Sequence, residues 1–220
     1  MKNLILLIIA TFFVSCSTTQ LVDSWRNPDV PEFSSNKILI VGMTTNEQAR
    51  EKFERKLKKE YENRGIEAVM SLEVFDASLA TEKTEEELKE IENKLIEDGF
   101  DSILFSKLIG VDDEMAYNST YSDIDYTYRN FRDDYYRNQD IYFNPDYYIK
   151  YKVYHAETSL YCICPIKDRE LIWKGYIDII DPESANKTIN DYVGLVLYVL
   201  EEEQLLHRKG DKKEEESVVQ

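Results

Sequence analysis

Histidine and cysteine are scarce in this 220-residue chain, at two and three residues. That leaves too few ligands for a zinc ribbon and too few thiols for a disulfide-stapled scaffold. Cationic residues are also in deficit: 27 Lys and Arg face 43 Asp and Glu, for a formal charge of −16. Nucleic acid is excluded as a partner on this ground, because neutralising phosphates requires a clustered basic surplus. A membrane-spanning run is missing too. The apolar stretch at residues 4–14 has 11 residues, whereas a helix crossing a bilayer needs roughly 20. Only seven glycines occur, and there is no P-loop, Gly-x-Ser-x-Gly elbow or His-Glu-x-x-His motif. The expectation is no cofactor, no metal and no catalytic site. What is present, 43% hydrophobic residues, suffices for the core of one domain.

The N-terminus carries an address. Lys2, the apolar stretch and the small residue Ser15 form the three parts of a signal peptide. Phe13-Val14-Ser15-Cys16 resembles the lipobox of bacterial lipoproteins, in which cleavage precedes the Cys and its thiol receives a diacylglyceryl group. The resemblance implies loss of residues 1–15 and lipidation, with palmitate-type chains, at Cys16. One chain holds a protein only marginally, at ~0.8 kcal/mol per buried methylene, whereas two or three on one Cys anchor it stably. Neither an Asp nor an acidic run follows Cys16, which implies an outer-membrane lipoprotein facing the periplasm. A body this negative is repelled by an anionic leaflet, so the acyl group would supply the hold.

Residues 17–36 contain Pro28 and Pro31 with Ser, Thr and Asn and follow neither helical nor strand period; they read as a tether with Trp25 as a docking point. Lys37-Ile38-Leu39-Ile40-Val41-Gly42 has the pattern of a strand buried on both faces. Ala49, Phe53, Leu57 and Tyr61 recur every fourth position before Gly65, the signature of a one-faced helix with a Gly stop. A second strand follows at residues 66–72. Thr84 and Glu87 then form a capping box for a helix carrying Leu88, Ile91, Leu95 and Ile96, and Asp101-Ser102-Ile103-Leu104-Phe105 opens a third strand. Further on, residues 147–163 and 171–180 form an antiparallel hairpin around a turn, and a last helix begins near Ser184. The fold expected is α/β with a mixed sheet: a three-strand βαβαβ unit extended by the hairpin and the C-terminal helix. The domain plan is a signal at 1–15, a tether at 16–36, one domain at 37–206 and a disordered charged tail at 207–220.

Between Tyr117 and Tyr154 lie 11 of the 16 tyrosines, and neither period holds over residues 112–146, which read as an irregular insertion. Tyr offers large contact area at low rotamer cost together with a hydroxyl. Tyr117, Tyr121, Tyr126, Tyr128, Tyr135, Tyr136 and Tyr142 are therefore the candidate binding residues, for an envelope protein or a glycan. Asp123-x-Asp125-x-Thr127 begins like a calcium loop but lacks its Gly and closing Glu. Cys162 and Cys164 share a strand face, where two small buried hydrophobes are expected. The connection at residues 42–46 follows a parallel strand, where open sheets hold ligands, but without a phosphate-binding pattern it reads as a plain link.

Several segments together resemble a functionally uncharacterised kind of bacterial lipoprotein: Cys16, Ser24-Trp25-Arg26-Asn27-Pro28, the strand ending at Gly42, Arg50 and Glu54, Gly65-Ile66-Glu67-Ala68-Val69, Gly99-Phe100-Asp101-Ser102-Ile103-Leu104, Ser159-Leu160-Tyr161 and Leu171-Ile172-Trp173. The function expected is a lipid-anchored, non-catalytic binding or assembly module of the envelope acting through the loop region around Tyr117 to Tyr148, with a glycan-binding lipoprotein using the same tyrosines as the alternative.

Overall fold

The structure is a computed structural model, described here for residues 17–75, 83–117, 131–144, 148–163 and 170–207. The signal peptide, Cys16 and residues 208–220 of the tail lie outside these residues, as do Tyr121, Tyr126, Tyr128 and the Asp123–Asp125 pair.

The fold is α/β, with one mixed six-stranded sheet in the order β1-β6-β5-β4-β2-β3. The strands are β1 Thr19–Arg26, β2 Lys37–Met43, β3 Glu67–Met70, β4 Ser102–Tyr117, β5 Tyr148–Cys162 and β6 Leu171–Ile180. Between them run α1 Glu47–Glu62, α2 Ser71–Val74, α3 Glu85–Glu97, α4 Phe131–Asn138 and α5 Asp140–Phe143, and α6 Ala185–Glu202 closes the chain. β2 pairs in parallel with β3 and β4, while β4, β5, β6 and β1 pair antiparallel. The expected βαβαβ unit and hairpin are thus present, fused through β4.

Each helix starts where its sequence offers a cap. The Asn46 side chain accepts from the Ala49 amide, that of Thr84 from Glu87 and that of Ser184 from Lys187, satisfying donors that a helix N-terminus leaves free. Gly65 and Gly99 stand at positive φ just past α1 and α3, conformations that cost a side chain 1–2 kcal/mol or so. α1 and α6 cover one face of the sheet and bury Ile38, Ile40, Leu104, Leu160 and Trp173; α3 covers part of the other through Leu95, against Leu39 and Phe100. Among the described residues no helix is long and apolar enough to cross a membrane.

Three expectations are corrected. Residues 17–36 are not a free tether: Thr19–Arg26 is an edge strand paired with β6, with a register shift between Leu21 and Asp23. That irregularity and the one-sided exposure of an edge obscure the period in the sequence. The segment beyond it is also held. The Arg26 guanidinium donates to the carbonyls of Glu203 and Pro31, Asn27 bonds Leu171 and Ile172, Val30 is buried, and Asp101 accepts from Ser35 and from the Asn36 amide at 2.7 Å. Secondly, the stretch 112–146 is not wholly irregular, because β4 runs on to Tyr117 and α4 and α5 follow. Here three successive acids, Asp112, Asp113 and Glu114, put charge on both faces of the strand, so no single-face pattern forms. Thirdly, Cys162 is buried as expected but is disulfide-bonded, its partner cysteine falling outside the described residues.

Candidate functional site

Two successive rows of side chains explain where the site lies. On the face beneath α1 and α6, Ile40, Leu104, Leu160 and Trp173 stand in register across four strands. The next row in the same strands is Gly42, Ser106, Thr158 and Gly175. Exchanging four large residues for four small ones opens space under the helices, and close packing elsewhere cannot refill it. Part of the gap is taken by the Trp173 ring, which leans over Gly175 so that a Cβ there would lie 2.6 Å from Cζ2. Tyr192 reaches down from α6 to fill another part.

The remainder is a cavity of about 540 Å³ at the carboxyl end of β2, beside residues 106–108 of β4. Met43, Phe53, Leu108 and Ile189 give it apolar walls, and the starts of α1 and α6 border it at Asn46 and Ser184. At its base, hydroxyls form a chain: Ser106 Oγ lies 2.7 Å from Thr158 Oγ1, which lies 2.8 Å from the Tyr192 hydroxyl. Burial pushes the Tyr192 phenol up to about 12, against a smaller opposite effect of its bond with Thr158, so it is a neutral hydrogen-bonding group at any physiological pH. The Phe53 and Tyr192 rings meet edge-on at 6.0 Å, a favoured arrangement.

A buried carboxylate sets the rim. Glu54 is fully buried and accepts from the Gly42 amide at 2.9 Å, Arg50 Nε at 3.0 Å, Ser71 Oγ at 2.6 Å and the Leu72 amide at 3.3 Å. It ties together the end of β2, the helix α1 and the start of α2. Such a charge is tolerated inside only because its acceptor sites are occupied.

The opposite face of the antiparallel half is charged. Glu157 is buried between Lys107 at 3.1 Å and Lys174 at 3.2 Å. Burial raises its carboxyl, but the two ammonium groups outweigh that and hold it below the usual range. One row on, His155 bridges two acids, Nδ1 to Asp178 at 2.6 Å and Nε2 to Asp112 at 3.1 Å. Both carboxylates, Asp178 foremost, raise the imidazole. Asp113 pairs with Lys152 at 3.0 Å. Among the described residues no group of three or more His, Cys, Asp or Glu is placed to hold a metal ion.

Of the tyrosines singled out in the sequence, Tyr135 and Tyr136 do not line this cavity. Tyr135 and Tyr136 are exposed on α4, with Tyr135 against the Phe131 ring at 5.9 Å. Tyr117 ends β4 opposite Tyr148 and Tyr142 belongs to α5. Trp25 is partly exposed on β1. The connection at residues 42–46, read as a plain link, supplies Gly42, Met43, Thr44 and Asn46 to the cavity. The sequence signal for the site is a small residue ending each apolar run, Gly42 after Val41 and Ser106 after Phe105. It acquires meaning only through the register that aligns them.

No protein-family model and no curated protein sequence matches the chain. Among solved structures, it is similar to the PelC dodecamer from Paraburkholderia phytofirmans, at a TM-score of 0.41 and 8% identity over 86% of this chain and 99% of that one. A leucine-to-methionine variant of the same dodecamer gives a TM-score of 0.41 and 8% identity over 87% and 99%.

Proposed function

We propose that this chain is a lipid-anchored envelope module, held through Cys16 at the periplasmic face of the outer membrane, that binds a hydrophobic ligand in the cavity between α1 and α6 without transforming it. The observation that carries the binding role is the cavity: about 540 Å³ falls within the ~300–1,000 Å³ range of small-molecule sites. Its apolar walls suit an aliphatic or aromatic body. The Ser106–Thr158–Tyr192 hydroxyls at the base suit one polar group on it. Binding is favoured over catalysis because Tyr192, whose phenol burial raises, meets the cavity as a neutral group, while Glu157 and His155, whose proton affinities are also shifted, lie on the far face of the sheet. The anchor rests on the Phe13-Val14-Ser15-Cys16 pattern. A glycan role has less support, since neither Tyr135 nor Tyr136 lines the cavity.

The test is to purify the chain from membranes, weigh it, and extract it with organic solvent. An acyl mass on Cys16 and an apolar small molecule in the extract are expected. Membrane association retained by Cys16→Ala would refute the anchor, and solvent extracts empty of any apolar compound would count against the ligand.

A further inference from the structure

Thr18 fixes where the sheet stands relative to Cys16. Its carbonyl accepts the Ile180 amide at 2.7 Å, and its own amide and hydroxyl donate to Asp191 Oδ2 at 3.3 and 3.2 Å. The first held residue is thus two positions after Cys16, a reach of about 7 Å. Across the sheet on the same line, Ile180 pairs with Val153 and Val153 with Asp112. The carboxyl end of β2, and with it the cavity, is at this same end.

Past that line the sheet thins to two strands. β4 and β5 continue for five more pairs, from Asp113 opposite Lys152 to Tyr117 opposite Tyr148, about 17 Å at 3.4 Å per residue. The ribbon therefore extends beyond the sheet by more than the slack that separates Cys16 from it. A body tied to a bilayer at Cys16 brings the ribbon to that bilayer.

The side chains of the ribbon fit such a place. Met115 and Ile149 are 64% and 50% exposed, Tyr148 stands at the last pair, 42% exposed, and Val111, one pair inside the line, is 52% exposed. A two-stranded ribbon is marginal in water, and these apolar groups add nothing to it while wet. Tyr and long Lys side chains favour the headgroup layer, where an apolar body and a polar tip are both satisfied; Lys150 and Lys152 supply the latter. Of the acids here, Asp113 is paired with Lys152 and Asp112, on the line itself, with His155.

We infer that the β4–β5 ribbon is a membrane-docking element that lies in the interfacial layer of the lipid bilayer, seating the sheet end and its cavity against the membrane from which a hydrophobic ligand can enter. The inference rests on the anchor proposed above. The other occupant to be tested is a second copy of this chain, because from Leu108 onward the outer edge of β4 pairs with no strand among the described residues.

The test places a tryptophan at Met115 in a Trp25→Phe background and mixes the full chain with phosphatidylcholine vesicles whose acyl chains are brominated. Tyr198→Trp is the control, 58% exposed and about 20 Å along α6 from its start. Quenching at least three-fold stronger for Met115→Trp than for Tyr198→Trp is expected. Equal, weak quenching at both positions on vesicle-bound protein overturns the inference. Mass spectrometry on the same samples separates the two readings. If Cys16 carries no lipid, the anchor fails, and quenching at Met115→Trp on added vesicles still decides the ribbon: its presence supports docking and its absence overturns it. A lipid-independent oligomer that Val111→Asp with Met115→Asp converts to a monomer, with no quenching, assigns the ribbon to a second copy instead.

Discussion

Thr18 and Asp191 are bound to one another across 173 positions of the chain, the backbone amide and side-chain hydroxyl of the first converging on one carboxylate oxygen of the second. The pair joins the start of β1 to the helix that roofs the cavity. Asp191→Ala removes two hydrogen bonds at a partly buried site, each worth about 1 kcal/mol net. Urea unfolding should show a loss of about 1–2 kcal/mol at unchanged m-value, and hydrogen exchange should quicken at the Ile180 amide, which Thr18 holds.

Glu54 is a fully buried carboxylate with four hydrogen-bond donors around it. Glu54→Ala leaves Arg50 without its buried partner and the Gly42 and Leu72 amides without acceptors. Breaking a buried pair from one side costs about 3–5 kcal/mol, and chemical denaturation should read a loss in that range. Glu51, whose partner Arg55 is exposed on the same helix, should tolerate Ala within about 0.5 kcal/mol.

Much of the architecture is legible in residues that speak for their own neighbourhood. Asn46, Thr84 and Ser184 each cap the helix they precede, and the run from Ile38 to Ile40 is buried as its composition demands. The rest depends on partners distant in sequence. β1 is a strand because β6 offers it an edge, and a bulge near Val22 hides the period. The cavity exists because register sets Gly42, Ser106, Thr158 and Gly175 in one row, a fact no single strand contains. The tyrosines drew attention by number, whereas the site is defined by what is small.

His155 makes stability depend on pH. Asp178 first and Asp112 second raise its proton affinity above the usual 6.5. The native state then binds the proton more tightly than the unfolded chain. The contribution is complete below the usual value and is lost as pH rises through the raised one. Thermal unfolding followed across that window should show a decline that His155→Gln flattens; an unaltered slope in the variant would assign the decline to other groups.

Gly175 is held small by its neighbour. A methyl group added there would meet the fully buried Trp173 ring, whose Nε1 has no hydrogen-bond partner among the described residues. Overpacking of this kind costs about 1–3 kcal/mol, so Gly175→Ala should lower the unfolding midpoint and shift the tryptophan emission. An emission spectrum identical to that of the parent, with equal stability, would mean the ring has room.

The central claim is that the space above the small-residue row holds a hydrophobic ligand. It is tested most directly by titrating the purified, delipidated domain with cis-parinaric acid, a fluorescent polyunsaturated fatty acid, beside an Ala49→Trp variant. Ala49 lines the cavity from α1, and an indole there fills it without disturbing the Glu54 network. The account predicts saturable one-site binding to the parent and at least a ten-fold loss of affinity in Ala49→Trp, with the unfolding transition of the variant retained. Binding that fails to saturate, or that is the same in both proteins, would contradict it.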